Sequence, residues 1–398
     1  MYLDTNYLVV FLSLFHAIIP LYQLQRTDYY MQLPFSEELE IKYLSRIFDN
    51  KSECYKLFWF QAIVTKVEDG KDTITYEELV NEMIADAWYM VSEYHLNLGP
   101  NDTLEKVIKR INEITVIKSS ETKANILKYL QECTDREVRK YKRVLVENVP
   151  YRLQAPFIEG AKSAVWKYSG NKLAQRINQE QRLMYYFGAF QGMQTEIRLE
   201  PSWMDYISRN REILRGWIQF HMITYLQRRN PSVPGIADKL YPPQERKMEK
   251  VKKYWRVVLE LQPIHEIYGG IELRKNDMSI DHFVPWSYVA HDEFWNLHPT
   301  TRSINSRKSN HLPDWEMYFT KLCQVEYKSY ELMWKNEKVH KYFHELANEH
   351  LNNYEIRQKL YREGLSEAEF SGQLADVISP VYQSAKNAGF MNWVLDYE

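Results

Sequence analysis

The sequence predicts an α+β fold, mainly helical, and three observations carry that expectation. Residues 31–149 repeat apolar side chains at helical spacing behind capping signals. Residues 150–202 are punctuated by proline and glycine and hold one alternating segment, MQTEIRL. In the second half, the polar stretch DHFVPWSYVAHDEFWNLHPTTRSINSRKSNHLP (281–313) reads as strand, loop, strand and helix.

Composition narrows the class. The chain has 398 residues, 45% hydrophobic and 26% charged, an ordinary globular balance that suits two or three domains. A formal net charge of −2 excludes a broadly basic surface, so any nucleic-acid contact must rest on local patches. Cys54, Cys133 and Cys323 form no CxxC pair. That argues against a cysteine zinc site and a disulfide framework, and for a reducing, cytoplasmic compartment.

Taken in order, residues 1–30 form an apolar N-terminal extension, and Met31 is a candidate start. The run YLVVFLSLFHAIIPLY follows Asp4 rather than a basic residue, and it contains His16 and Pro20. It lacks the basic region of a signal peptide and the length of about 20 apolar residues that a spanning helix needs. A buried or partner-facing helix is expected, and a membrane role is not.

Residues 31–149 are expected to be a helical domain. Thr75 with Glu78 reads as a capping box for a helix that stops at Gly99, with Leu79, Met83 and Trp88 on its apolar face. Asp102 with Glu105 opens a second helix, whose Leu104, Val107, Ile108 and Ile111 share one side. Thr134 with Glu137 opens a third. Pro150 breaks the pattern, and 150–202 becomes a mixed connecting region. Helices return at Trp203, interrupted by RRNPSVPGIADKLYPP.

Charge is uneven in this last part. From Ser208 to Glu260 there are twelve Lys and Arg against five Asp and Glu. A helix through RKMEKVKKYWR would show Arg246, Lys250 and Lys253 on one face. Such a face is either simply solvated or tracks phosphates.

The polar stretch carries the chemistry. Lys275-Asn276-Asp277 reads as a turn between EIYGGIEL and the strand Met278–Phe283, a β-hairpin that ends in Asp281 and His282. Neighbours on a strand point to opposite faces. The natural division gives the carboxylate to a hard cation and the imidazole to a substrate water. Mg²⁺ takes oxygen ligands and keeps several waters, and Asn305 can add a carbonyl oxygen. Neutral His282 suits a general base near neutral pH. Arg302, Arg307 and Lys308 add positive charge for a phosphodiester. The parts match metal-assisted phosphodiester hydrolysis.

The stretch resembles the ββα-metal finger of HNH endonucleases. Asp281-His282 matches the leading pair, Asn296 follows fourteen residues after the His, Asn305 nine further on, then Lys308. Ile280, Pro285, Ser287, Ser309 and Pro313 also fit, and the finger is most similar to the HNH domain of RNA-guided CRISPR effector nucleases. The resemblance implies an HNH nuclease domain over 203–398, with its finger at about 265–313. It implies His282 as general base, Asn296 as the pin of the loop, and Asp281 with Asn305 around one Mg²⁺ or Mn²⁺. The products would carry a 5′ phosphate and a 3′ hydroxyl.

Two departures stand out. Many relatives have a metal-binding His where this chain has Asn305, and many carry zinc-binding CxxC pairs. Here packing of Trp286, Phe294 and Trp295 is expected to hold the finger. His291 and His298 have no motif position and read as a loop or substrate-contact residue and as packing in the second strand; His311 is the alternative to Asn305 as metal ligand, and His265 and Tyr268 are expected to be structural.

A single finger cuts one strand, so a double-strand cut needs a homodimer or two events. In layout the chain is similar to bacterial stand-alone HNH proteins. Some of those serve restriction or antiphage systems with partner proteins. DNA is the expected substrate, with RNA the alternative within the enzyme class. A non-catalytic binding protein on the same scaffold is the other reading.

Overall fold

The computed structural model describes residues 32–49, 54–115, 117–158, 165–242 and 246–396. The apolar extension read at 1–30 lies outside the described residues. The described chain is α+β and mainly helical. Among the described residues, no helix is long and apolar enough to cross a membrane.

Helix α1 (Tyr55–Glu68), strand β1 (Thr73–Thr75) and helix α2 (Tyr76–Ser92) follow in sequence. The α2 helix ends before the Gly99 stop read from the sequence. His95, at φ 53°, takes the left-handed place that glycine usually holds, and the Leu96 N–H returns to the Met90 carbonyl. That bond reaches one residue further back than the 6→1 bond of a Schellman end. Helix α3 (Thr103–Ile114) is capped by Asp102, which accepts the Glu105 N–H at 3.0 Å. Glu105 itself turns to the Leu98 N–H at 2.8 Å. Leu104, Val107, Ile108 and Ile111 form its buried face.

Helix α4 (Lys123–Glu132) precedes α5 (Arg136–Leu145). The cap of α5 is Asp135, not Thr134. Its carboxylate accepts the N–H groups of both Glu137 and Val138 at 2.9 Å. One charged side chain thus satisfies two of the orphan donors at the helix start, where a hydroxyl at Thr134 would serve one.

Two compact units emerge from Cα proximity. The first draws its described residues from Met1–Lys51, Phe60–Tyr76 and Glu147–His221. Its antiparallel sheet joins β2 (Tyr185–Phe187) and β3 (Glu196–Leu199) to β1 in the order β1-β3-β2. The alternating MQTEIRL segment supplies β3, with Ile197 and Leu199 facing in. Gln154 is fully buried and holds the sheet's start. Its amide donates to the Tyr185 carbonyl at 2.7 Å and accepts from the Met184 N–H at 2.9 Å. Phe48 stacks on Trp217 of helix α6 (Arg211–Arg229) at 4.6 Å.

The second unit comprises Ser52–Trp59, Glu77–Val146 and Met222–Glu398. It contains α7 (Glu249–Leu261), β4 (Met278–His282), β5 (Leu297–Thr301) and α8 (Arg302–Lys308). Helices α9 (Trp315–Lys335), α10 (Glu337–His350) and α11 (Glu367–Asn387) complete it. α10 packs on α7 and α9, and α9 packs on α11. Rings of Tyr254, Phe294, Phe343 and Tyr361 meet between them at 5.1–6.3 Å. Each such ring contributes about 1.5–3 kcal/mol by leaving water.

The hairpin differs from the sequence reading. Met278–His282 pairs with Leu297–Thr301, antiparallel, and not with EIYGGIEL. The latter is a loop closed by a single bridge, His265 to Glu272. Buried Glu266 explains this, because its carboxylate accepts the N–H groups of Tyr268, Gly269 and Ile271 that a partner strand would have taken.

Candidate active site

The β4–β5 register places His298 opposite Asp281 and Leu297 opposite His282. The α8 helix follows β5 directly, and Thr301 caps it by accepting the Ile304 N–H at 3.3 Å. A pocket of about 300 Å³ opens beside this unit. Asp281, His282, Asn305 and Lys308 line it, with Arg246 and Glu93.

Asp281 is 4% exposed, and both its oxygens are held. Oδ2 accepts the Tyr268 hydroxyl at 2.7 Å, and Oδ1 lies 3.2 Å from the Lys308 ammonium. Burial pushes the carboxyl up, but the Lys308 ammonium and the Tyr268 hydroxyl outweigh it and hold it below its ordinary value. Lys308, fully buried, also donates to the His282 carbonyl at 2.8 Å. His298 is fully buried with no hydrogen bond to either ring nitrogen, and its Nε2 is 3.7 Å from Asp281 Oδ2. Burial pushes it down to about 4, so it is neutral.

His282 is 3% exposed. Its Nε2 lies 2.8 Å from Asp292 Oδ1, and its Nδ1 lies 3.2 Å from Arg246 Nη1. A guanidinium only donates, so Nδ1 must accept. The proton of the neutral ring then sits on Nε2 and is donated to Asp292. Burial lowers the imidazole pKa, Asp292 opposes that, and Arg246 adds to it, leaving the ring below its ordinary value. The arrangement fixes one tautomer with its lone pair on Nδ1.

Asn296 is fully buried. Its amide accepts from the Val284 N–H and donates to the Val284 carbonyl, both at 2.8 Å, while its own carbonyl accepts the Phe283 N–H. It ties the start of the loop to its end. Phe294 and Trp295 are buried, and Trp286 is half-buried at the pocket.

Asn305 donates its amide nitrogen to Ser279 Oγ at 2.8 Å and to the Ile280 carbonyl at 3.0 Å. A carbonyl can only accept, so the amide orientation is forced and Oδ1 is left as its remaining donor atom toward a ligand. Among the described residues, no three His, Cys, Asp or Glu side chains gather to hold a metal. The oxygens of Asp281 and Asn305 on one pocket are a donor set that fits a hard cation rather than zinc.

The remaining expected cations are dispersed. Arg302 is exposed on α8, and Arg307 donates to the Asp396 carbonyl at 2.6 Å. Lys250 pairs with Glu349 at 2.5 Å, and Lys253 is exposed. Arg246 is not on the helix with them, because α7 begins only at Glu249. The expected shared face therefore does not form: the chain before α7 takes Arg246 to His282 instead. Of the other histidines, His311 Nδ1 faces the Lys308 carbonyl at 2.9 Å and His291 packs near Trp295.

Asp292, Tyr268, Arg246 and Glu93 belong to the site but were not singled out for it from the sequence. Asp292 was the most legible, an acid inside the loop ten residues after His282. Tyr268 lies in the loop before β4, while Arg246 and Glu93 come from segments outside the finger, and only the fold brings them in.

No curated protein and no solved structure matches the chain. Residues 266–314, the segment that holds β4, β5 and α8, match the family model of the HNH endonucleases.

Proposed function

We propose that this chain is a metal-dependent endonuclease that hydrolyses phosphodiester bonds in DNA. The state of His282 carries the reading. It is a neutral imidazole with its Nε2–H fixed by Asp292 and its ring on the pocket that Asp281, Asn305 and Lys308 share. Nδ1 takes the proton of the attacking water as its oxygen bonds to phosphorus. The bond from phosphorus to the 3′ oxygen breaks and solvent protonates that oxygen, leaving a 5′ phosphate and a 3′ hydroxyl. Asp292 stabilises the imidazolium that results, and Asn296 keeps the loop between them in place.

HNH nucleases generally use divalent metal ions. In this chain Asp281 and Asn305 would hold Mg²⁺ or Mn²⁺, which supplies charge compensation for the departing oxygen. Lys308 keeps Asp281 ionised, and each of its held oxygens retains a second lone pair for an ion. A place in bacterial restriction or antiphage defence, and a homodimer that cuts both strands, extend the proposal without a residue of their own.

The test is cleavage of supercoiled plasmid with Mg²⁺ or Mn²⁺, with parallel arms of structured and single-stranded RNA. Wild type should nick the plasmid, and His282→Ala should lose at least about 100-fold in rate. An intact plasmid under every divalent ion, or a His282→Ala variant as fast as wild type, would overturn the assignment. Cleavage of RNA alone would move the substrate, not the site.

A further inference from the structure

The lone pair that the proposed reaction needs is covered. Arg246 Nη1 donates to His282 Nδ1 at 3.2 Å, while its guanidinium lies 5.7 Å from the centre of the Trp286 ring. His282 is buried but Arg246 is exposed, so the cap is the solvent-facing partner. Among the described residues, two cationic side chains line the pocket, Arg246 and Lys308. Lys308 is buried and committed to Asp281 and to the His282 carbonyl. Arg246 is therefore the cation that an entering anion can recruit. The pocket's other acid, Glu93, is already held by the Ser119 hydroxyl and the Asn310 amide.

From this geometry we infer that Arg246 is the phosphodiester-contacting residue of the pocket, and that the same side chain caps the His282 lone pair until a phosphate draws it away. The inference rests on the nuclease reading for its biological meaning. A guanidinium bonds a phosphate with two parallel, charge-assisted N–H bonds, whereas a neutral imidazole accepts one. The exchange is downhill when a phosphate arrives. It is one movement with two results: a positive charge reaches the phosphate oxygens, and Nδ1 becomes free to take a proton. Arg302, Arg307, Lys250 and Lys253 cannot substitute, since none lines the pocket.

Two measurements without divalent ions test this apart from cleavage. Diethyl pyrocarbonate acylates an unprotonated imidazole nitrogen, and peptide mass spectrometry reads each histidine separately. Arg246→Ala should raise the His282 acylation rate by about tenfold or more, the worth of a hydrogen bond from a charged donor, while exposed His344 stays at the wild-type rate. Duplex DNA binding by fluorescence anisotropy across salt should show the slope of log affinity on log salt reduced by about 0.9 in Arg246→Ala, the loss of one phosphate contact. Arg246→Lys should recover that slope.

Equal His282 reactivity in wild type and Arg246→Ala overturns the cap. An unchanged salt slope overturns the phosphate contact. If wild type cleaves no nucleic acid but both shifts appear, the hydrolase reading falls and this inference stands.

Discussion

Asp281 and His282 are neighbours on one strand, yet their surroundings differ in kind. Asp281 is held by Tyr268 and Lys308, both buried, with buried His298 beside it. His282 is held by Asp292, whose side chain is 20% exposed, and by exposed Arg246. The first set is a closed network that favours one state. The second ends at the solvent, where a ligand can compete for each partner. The contrast separates what keeps the strand in place from what lets the site react.

The largest expected effect lies on the closed side. Lys308→Met leaves an uncompensated buried carboxylate and should cost about 3–5 kcal/mol in chemical denaturation, less what Asp281 recovers by taking up a proton. A loss under 1 kcal/mol would show that the pair is not the strand's anchor.

On the open side, the effect should appear in rate rather than stability. Asp292→Asn replaces the charged acceptor that fixes the His282 tautomer with a neutral amide that can turn its N–H₂ toward Nε2, and should slow cleavage by about 100-fold or more, with the unfolding midpoint little changed. Equal losses of rate and stability would place Asp292 with the closed network.

Glu326 sharpens the same contrast, as a second buried carboxylate with no cation beside it. It is 2% exposed with Oε1 unpartnered, and burial alone raises its pKa well above the ordinary value. The folded state thus holds a proton that the unfolded chain releases above its ordinary value. Stability from this group is present at low pH and lost as pH rises toward the folded value, by at most about 1.4 kcal/mol per pH unit. Comparing wild type with Glu326→Gln between pH 5 and 7, only wild type should show this component. Parallel profiles would mean that Glu326 is ionised when folded.

The smallest effect tests the capping reading. Asp135→Ala should cost about 1 kcal/mol in thermal unfolding, and Thr134→Ala only a few tenths. The reverse order would restore Thr134 as the cap.

These residues also show how much was legible. The spacing of Asp281, His282, Asn296, Asn305 and Lys308 is local, and so is the pattern that makes β4, β5 and α8. Which strand pairs with β4 was not local information. EIYGGIEL looked like the partner, but Glu266 occupies its N–H groups, and that carboxylate's position follows from tertiary burial. With the pairing misread, the placement of His298 opposite Asp281 was hidden. Arg246 was visible as charge but not as a contact, because where α7 begins decides whether it joins Lys250 or leaves the helix. Glu93 enters the pocket from the end of α2, far away in sequence, and no pattern announces it.

Asn305 carries a consequence for how this sequence can drift. Its nitrogen clasps the Ile280 carbonyl on the adjacent strand. An aspartate there would set a carboxylate oxygen against that carbonyl, and a histidine that ligates an ion has one N–H left, which can serve Ile280 or Ser279 but not both. The double clasp on β4 therefore belongs to an amide at this position, and any change of ligand there would loosen the joint between β4 and α8 as it changed the ion the site prefers.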